Sequence, residues 1–323
     1  MGAKDPYGIL LSDAISQDTY IVRAEEKTRF RKHDYYTALK IEPMSINEIP
    51  KAMKRMGWMK SAALMTRWLT TPGWECPPAW KSGKELPRGL EIPDQHCDDK
   101  IITMSWLLRY PAAVRAVNKL LNERALSPAG LKVTANRLKK LGWDGKGSYT
   151  FGRTNLLGRP SMSARELEQY YQNNYLAVGD NAVIHVIVDT LDDIFGALGT
   201  YNLKVAVVGT AFRGTNKDVF FEPSYAGVYV KDFYDFNNDG GYDQHLGLWC
   251  EEGILTRGQA AYAKFFNRGV THLKNKHMKA AEVKNSDFLR YREKYGLGGD
   301  IIVFSDVHWV KMSGVYKLPW DDI

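Results

Sequence analysis

The apolar positions of this chain change period partway along it. From residue 45 to residue 198 they recur every three or four residues, the period of a helix that buries one face. Beyond Gly199 they fall instead into β-branched runs and alternations. Residues 45–70 predict a helix, with Ser45 and Asn47 as candidate caps and Met53, Met56, Ala63 and Leu64 as apolar positions. Thr70-Thr71-Pro72-Gly73-Trp74 ends that pattern. Pro72, Pro77, Pro78, Pro87 and Pro93 then predict an irregular connection over 71–99. Pro111 divides the next apolar stretch into helices over 101–110 and 112–122, the second with Val114, Val117, Leu120 and Leu121 on one face. Ser127 is placed to cap a helix that opens on Pro128, runs through Leu131, Ala135, Leu138 and Leu141, and stops at Gly142. Ser163 and Glu166 spell a capping box ahead of Leu167, Tyr170 and Tyr171. Ile184, Val188, Leu191 and Phe195 favour a helix over 181–198, with a strand over 183–188 as the rival. Residues 1–43 are mixed, and 23–33 is a charged, solvated stretch.

In the last part of the chain, residues 203–212 read as a strand and Arg213-Gly214-Thr215-Asn216 as a turn. A second strand over 224–230 runs directly into Lys231–Asn237. Helices follow over 257–267 and 286–295, and Gly298-Gly299 leads into a last strand over 300–305. The expected fold class is therefore α+β. A mostly helical part over 1–198, suited to delivery or docking, precedes a β-rich domain over 199–323.

Composition narrows the chemistry. The chain has 323 residues, 44% of them hydrophobic and 25% charged, enough for a large core without structural metals. Cys76, Cys97 and Cys250 form no C-x-x-C pair, which excludes a zinc ribbon and a thioredoxin-like motif. That usage suits synthesis in a reducing cytoplasm, with Cys76 and Cys97 the nearest pair. A net charge of +7 suits an anionic partner such as nucleic acid, phospholipid headgroups or a pyrophosphate, or a solvated basic surface. The N-terminus carries no secretory signal pattern, and no apolar run approaches the ~20 residues that span a bilayer. Gly-x-Ser-x-Gly, P-loop, His-Glu-x-x-His and aromatic RNA-binding motifs are absent from the sequence.

The candidate chemistry centres on Asp232-Phe233-Tyr234-Asp235-Phe236-Asn237, where a strand enters a Gly-rich loop. Two carboxylates three residues apart at a strand end can share one space. They repel, which favours a cation between them or a raised pKa, and either suits attack on a phosphoester. Tyr234 is positioned to donate to a phosphate oxygen. The plainer reading is a strand end with exposed acids and buried aromatics. Asp235-x-Asn237-x-Asp239-Gly240 also reproduces the opening of a calcium loop, with Asp243 at its ninth position, but Leu246 stands where the closing Glu belongs. His245 is the nearest titratable base, and Leu246-Gly247-Leu248-Trp249 reads as a packing element. Asp300, Ser305, Asp306 and His308 flank the last strand; Asp306 and His308 offer a second acid and base, against ordinary strand-end polarity.

The stretch 203–237 resembles the colicin M family of bacterial toxins, in which a strand ending in Gly-Thr precedes a strand that enters an Asp-x-Tyr-Asp-Phe-Asn motif. Here those pieces are Gly209-Thr210 and Asp232–Asn237. The resemblance implies a magnesium-dependent hydrolase of lipid II that works in the target-cell periplasm and parts the undecaprenyl chain from its pyrophosphate-linked muropeptide. It places Asp232, Tyr234 and Asp235 among the functional positions and implies Mg2+ held by Asp232 and Asp235; the calcium-loop reading adds Asn237 and Asp239 as ligands, with Ca2+ as the alternative ion. The family follows its motif with an adjacent His-Arg pair. This chain has Asp-Gly-Gly-Tyr there, so His245 takes the His role only across a longer loop. Trp68-Leu-Thr-Thr-Pro-Gly-Trp74 and Gly298–Asp306 also resemble a bacterial family encoded near type VI secretion genes. That likeness implies a secretion apparatus as one partner and a cognate immunity protein as another. The sequence leaves two competing readings, a non-enzymatic secretion adaptor or partner-binding module and a phosphodiesterase or nuclease toxin acting on nucleic acid.

Overall fold

A computed structural model describes residues 40–81, 91–179, 191–237, 243–255 and 277–320, all within a unit that begins at Lys40. The charged stretch 23–33, most of the expected 181–198 helix, the 257–267 helix and Asp239 lie outside the described residues.

The chain enters on β1 (Lys40–Pro43). Ser45 then accepts from Asn47 N–H while Glu48 accepts from Ser45 N–H, closing a capping box over a single 3-10 turn. Two helices follow, α1 (Ile49–Arg55) and α2 (Met59–Thr70), where the apolar period predicts one. Gly57 separates them at φ +79, a left-handed conformation that favours glycine. The proline-rich connection holds α3 (Pro78–Lys81) and β2 (Cys97–Asp98). The expected 101–110 helix shrinks to α4 (Met104–Leu107), capped by Thr103. Next comes α5 (Pro111–Lys119), which widens into a π turn over Leu120–Arg124. The helix best marked in sequence is α6 (Pro128–Lys140), with the Ser127 hydroxyl accepting from Gly130 N–H.

Then follow β3 (Ser148–Phe151), α7 (Ala164–Tyr170), β4 (Gln172–Val178) and α8 (Asp193–Leu198). Ser163 caps α7, but only half of the expected box forms, because the Glu166 carboxylate pairs with Arg153 at 2.7 Å. The two longest strands are β5 (Tyr201–Arg213) and β6 (Val219–Tyr234). The remaining elements are β7 (His245–Cys250), β8 (Gly253–Ile254), β9 (His277–Lys284), α9 (Asn285–Tyr295), β10 (Ile301–Phe304), β11 (His308–Lys311) and β12 (Tyr316–Lys317).

The fold is α+β, and β6 organises it. One edge of β6 pairs antiparallel with β5. Its other edge is taken in succession by β12, β11 and β10. β3 and β4 divide the far edge of β5, and β2 adds in parallel to β10. A smaller sheet runs β1-β9-β7-β8. Gly209 sits where the β5–β6 register shifts, because a Cβ there would lie 2.1 Å from the Glu222 carbonyl. The change of period at residue 199 is thus crossed by a shared sheet. Strands from before it extend the β5–β6 ladder, and Trp68, Leu107 and Leu138 share one core with Val205, Val228 and Ile301.

Trp68 anchors that core under the end of β6. It is fully buried, meets Phe236 and Phe288 edge-on at 5.0 and 5.3 Å, and lies so close to Gly298 that a Cβ there would touch its ring at 2.6 Å. Trp68→Ala is expected to cost about 3–5 kcal/mol, read from the midpoint of urea unfolding.

Candidate functional site

Successive residues of a strand face opposite sides of a sheet, and β6 uses both sides at its end. Val230, Asp232 and Tyr234 point to the larger core; Lys231 and Phe233 point to a smaller one. Pairing of Asp232 with Val303 and of Tyr234 with Ile301 fixes this register against β10.

Asp232 and Tyr234 therefore enter an apolar setting. Asp232 keeps some solvent contact, yet burial pushes its carboxyl well above the ordinary carboxylate range, and the nearby Asp235 charge adds to the rise. Burial likewise pushes up the Tyr234 phenol, whose hydroxyl has no hydrogen-bond partner among the described residues. The Tyr201 hydroxyl is also buried without a partner among the described residues, and its phenol is raised by burial and by the Asp232 charge.

Asp235 lies past the strand end in a different setting. Its Oδ2 is 2.9 Å from Lys81 Nζ, and both side chains are 17% exposed. Burial pushes the Asp235 carboxyl up, while hydrogen bonding and attraction from Lys81 pull it back. Its Oδ1 accepts from Asn237 N–H at 3.3 Å. Asn237 is pinned by its own side chain, whose Nδ2 donates to Asp300 Oδ2 at 2.8 Å. Asp300, 1% exposed, also accepts from Cys76 N–H at 2.9 Å and pairs with Arg292. The Cys76 thiol is pushed up to about 12, chiefly by burial, so it is no ready nucleophile. Phe236 turns inward and stacks on Phe288 at 3.8 Å.

Behind the sheet lies a buried ionic group. Glu168 on α7 takes Lys204 at 2.8 Å and Lys231 at 3.0 Å on Oε1, and the Tyr229 hydroxyl donates to Oε2 at 2.8 Å. Burial alone would raise the Glu168 carboxyl, but the two ammonium groups outweigh it and hold the group low. Lys231 is itself lowered, because burial and repulsion from Lys204 exceed its attraction to the one carboxylate.

The remaining expected groups lie elsewhere. His245 opens β7 in the smaller sheet, with Nε2 3.0 Å from Glu282 Oε1. Asp306 accepts from Met104 N–H at the start of α4. Asp243 accepts from Ser286 N–H and Oγ, so it joins the opening of α9. Leu246–Trp249 forms much of β7, as the packing reading expected. All three cysteines are buried free thiols. No group of three or more His, Cys, Asp or Glu able to hold a metal occurs among the described residues. Of the expected ligands, Asp235 Oδ2 faces an ammonium, and Asn237 Oδ1 faces the Arg292 guanidinium at 3.4 Å.

Sequence reasoning missed Lys81, Arg292 and Glu168 as partners. The available signal was weak: Lys204 and Lys231 interrupt otherwise apolar strands, and a lysine there asks for a buried acid. Trp68–Trp74 and Gly298–Asp306 meet each other directly. Gly298 N–H donates to the Thr71 carbonyl and Asp300 N–H to the Trp74 carbonyl, each at 2.9 Å.

Two outcomes are expected. Asp300→Ala strands Arg292 beside an apolar core and costs about 3–5 kcal/mol, measured by urea unfolding. Asp232 binds its proton more tightly folded than unfolded, so stability falls as pH rises from the ordinary carboxylate range through its raised value. Thermal unfolding across about pH 4–8 should show that decline, and Asp232→Asn should flatten it and raise Tm at the alkaline end.

No curated protein and no solved structure matches the chain. Residues 44–320 match a family of unknown function, DUF6402, and span nearly all of the described elements; the chain belongs to that family.

Proposed function

We propose that the chain is a hydrolase of the colicin M type that acts on lipid II, with Asp235 as its working carboxylate. The observation that carries this reading is the Asp235–Lys81 pair at the end of β6. It joins a carboxyl raised by burial to an ammonium that reaches the surface. A carboxyl raised by burial can take a proton from water and return it later. In the proposed step, water attacks phosphorus, Asp235 accepts its proton, the bond from phosphorus to the prenyl oxygen breaks, and Asp235 returns the proton to that oxygen. Lys81 stabilises the charge that builds on the phosphoryl oxygens. The Asp300 charge adds to the proton affinity of Asp235, and Tyr234 packs the strand end. Among the described residues the expected donors do not form a cation cage, because Asp235 Oδ2 and Asn237 Oδ1 face Lys81 and Arg292.

The resemblance of 68–74 and 298–306 to a family encoded near type VI secretion genes supports delivery to the periplasm of a neighbouring cell. On that reading the producing cell carries an immunity protein. A binding module, such as a secretion adaptor, is the second reading. It is favoured by one observation, that Asp235 and Asp300 are each already matched to a cation.

The decisive measurement is release of undecaprenol when the purified full chain is incubated with lipid II and magnesium, resolved by thin-layer chromatography. Release is expected, and Asp235→Asn should slow it by about 100-fold or more while keeping the wild-type circular dichroism spectrum. Wild-type chain that releases nothing, or Asp235→Asn chain that works at full rate, would sink the assignment. In a Gram-negative host, lysis should require an added periplasmic signal. Toxicity confined to the cytoplasm would point to nucleic acid instead.

A further inference from the structure

The loop between β3 and α7 displays the most solvent-exposed apolar side chains among the described residues. Leu156 is fully exposed at 106% and Leu157 is 79% exposed. Isolated exposed leucines are ordinary, but two adjacent ones on a well-held tip are not.

The loop closes its own backbone. Asn155 N–H donates to the Arg159 carbonyl at 2.8 Å, and Gly158 N–H to the Asn155 carbonyl at 2.9 Å. The Asn155 Oδ1 accepts from Leu157 N–H at 3.0 Å and from Arg159 N–H at 3.1 Å. Gly158 takes φ +69, and Thr154 bridges Pro160 below the tip. Arg153 braces the base by gripping Glu166. The two leucines are therefore held outward by a tip in which the amide donors of Asn155, Leu157, Gly158 and Arg159 are already satisfied, which lowers the cost of taking it out of water.

We infer that residues 153–159 form an anchor that seats in the surface of an anionic lipid bilayer. Charge argues for that occupant. No acidic residue lies between Gly152 and Arg165, Arg159 flanks the leucines, and the whole chain carries +7. Apolar side chains with an adjacent cation match an interface where acyl chains lie just below anionic headgroups. The tip is a narrow protrusion of two side chains rather than a broad apolar face. Met162 and Ala164, on the return from the loop, share the smaller buried cluster with Cys76, so the anchor and the acidic site are built on one scaffold. The anchor does not depend on hydrolysis, and its test does not read hydrolysis.

The test is co-sedimentation of the full chain with vesicles of phosphatidylcholine alone or of equal parts phosphatidylcholine and phosphatidylglycerol. The chain should pellet with the anionic vesicles and far less with the neutral ones. Leu156→Ser with Leu157→Ser should lower the partition constant about 100-fold, roughly tenfold for each leucine, with an unchanged melting temperature. Arg159→Gln should lower it by roughly fivefold at low salt and less at high salt. The anchor is overturned if wild-type chain stays in the supernatant with anionic vesicles, or if the double variant pellets equally well. Self-association of the wild type in place of vesicle binding, abolished in the double variant, would assign the tip to a protein contact and also overturn it.

Discussion

Asp300 carries a charge almost wholly removed from water, and the geometry around the acidic segment depends on satisfying it. A buried carboxylate is tolerated only where donors surround it, and here the donors come from three separate parts of the chain. Cys76 N–H comes from the proline-rich connection, the Asn237 amide from beyond β6, and the guanidinium of Arg292 from α9. The same carboxylate therefore fixes the loop that precedes Lys81, the residues that follow Asp235, and the helix that packs under both. Removing it would release all three at once.

β6 supplies the second constraint. Its neighbours occupy both edges, so its register is set by β5 on one side and by β10, β11 and β12 on the other. A slip of one residue would exchange the two faces, sending Lys231 into the larger core and Asp232 toward Glu168. The buried pairing of Lys231 with Glu168 and the apolar contacts of Val230 and Tyr234 both oppose that slip. Polar specificity and hydrophobic burial thus select the same register, which places Asp235 just past the strand end, beside Lys81.

This division separates two acids that the sequence presents as a pair. Asp232 belongs to the sheet and is raised by its apolar surroundings. Asp235 belongs to the loop and is poised between burial and an ammonium. Their chemistry differs because their neighbours differ, although only two residues separate them. His245, near both in sequence, is committed to Glu282 in the other sheet.

What the sequence determined by itself was local. Period and punctuation marked α6, the β5–β6 hairpin, α9 and β10, because a capping serine, a glycine turn or a β-branched run acts within a few residues. They also marked Asp232–Asn237 as the place to look. The single long helix over 45–70 and the helix over 101–110 misled for the same reason: apolar spacing persists through Gly57 and past Leu107, while the backbone does not. Only the tertiary structure decided which groups meet. Lys81 reaches Asp235 across more than 150 positions of chain, and Glu168 reaches Lys231 across 63. A charge in a strand announces that a partner is needed, but not which one, since the cost of burying it is set by distances that folding alone creates.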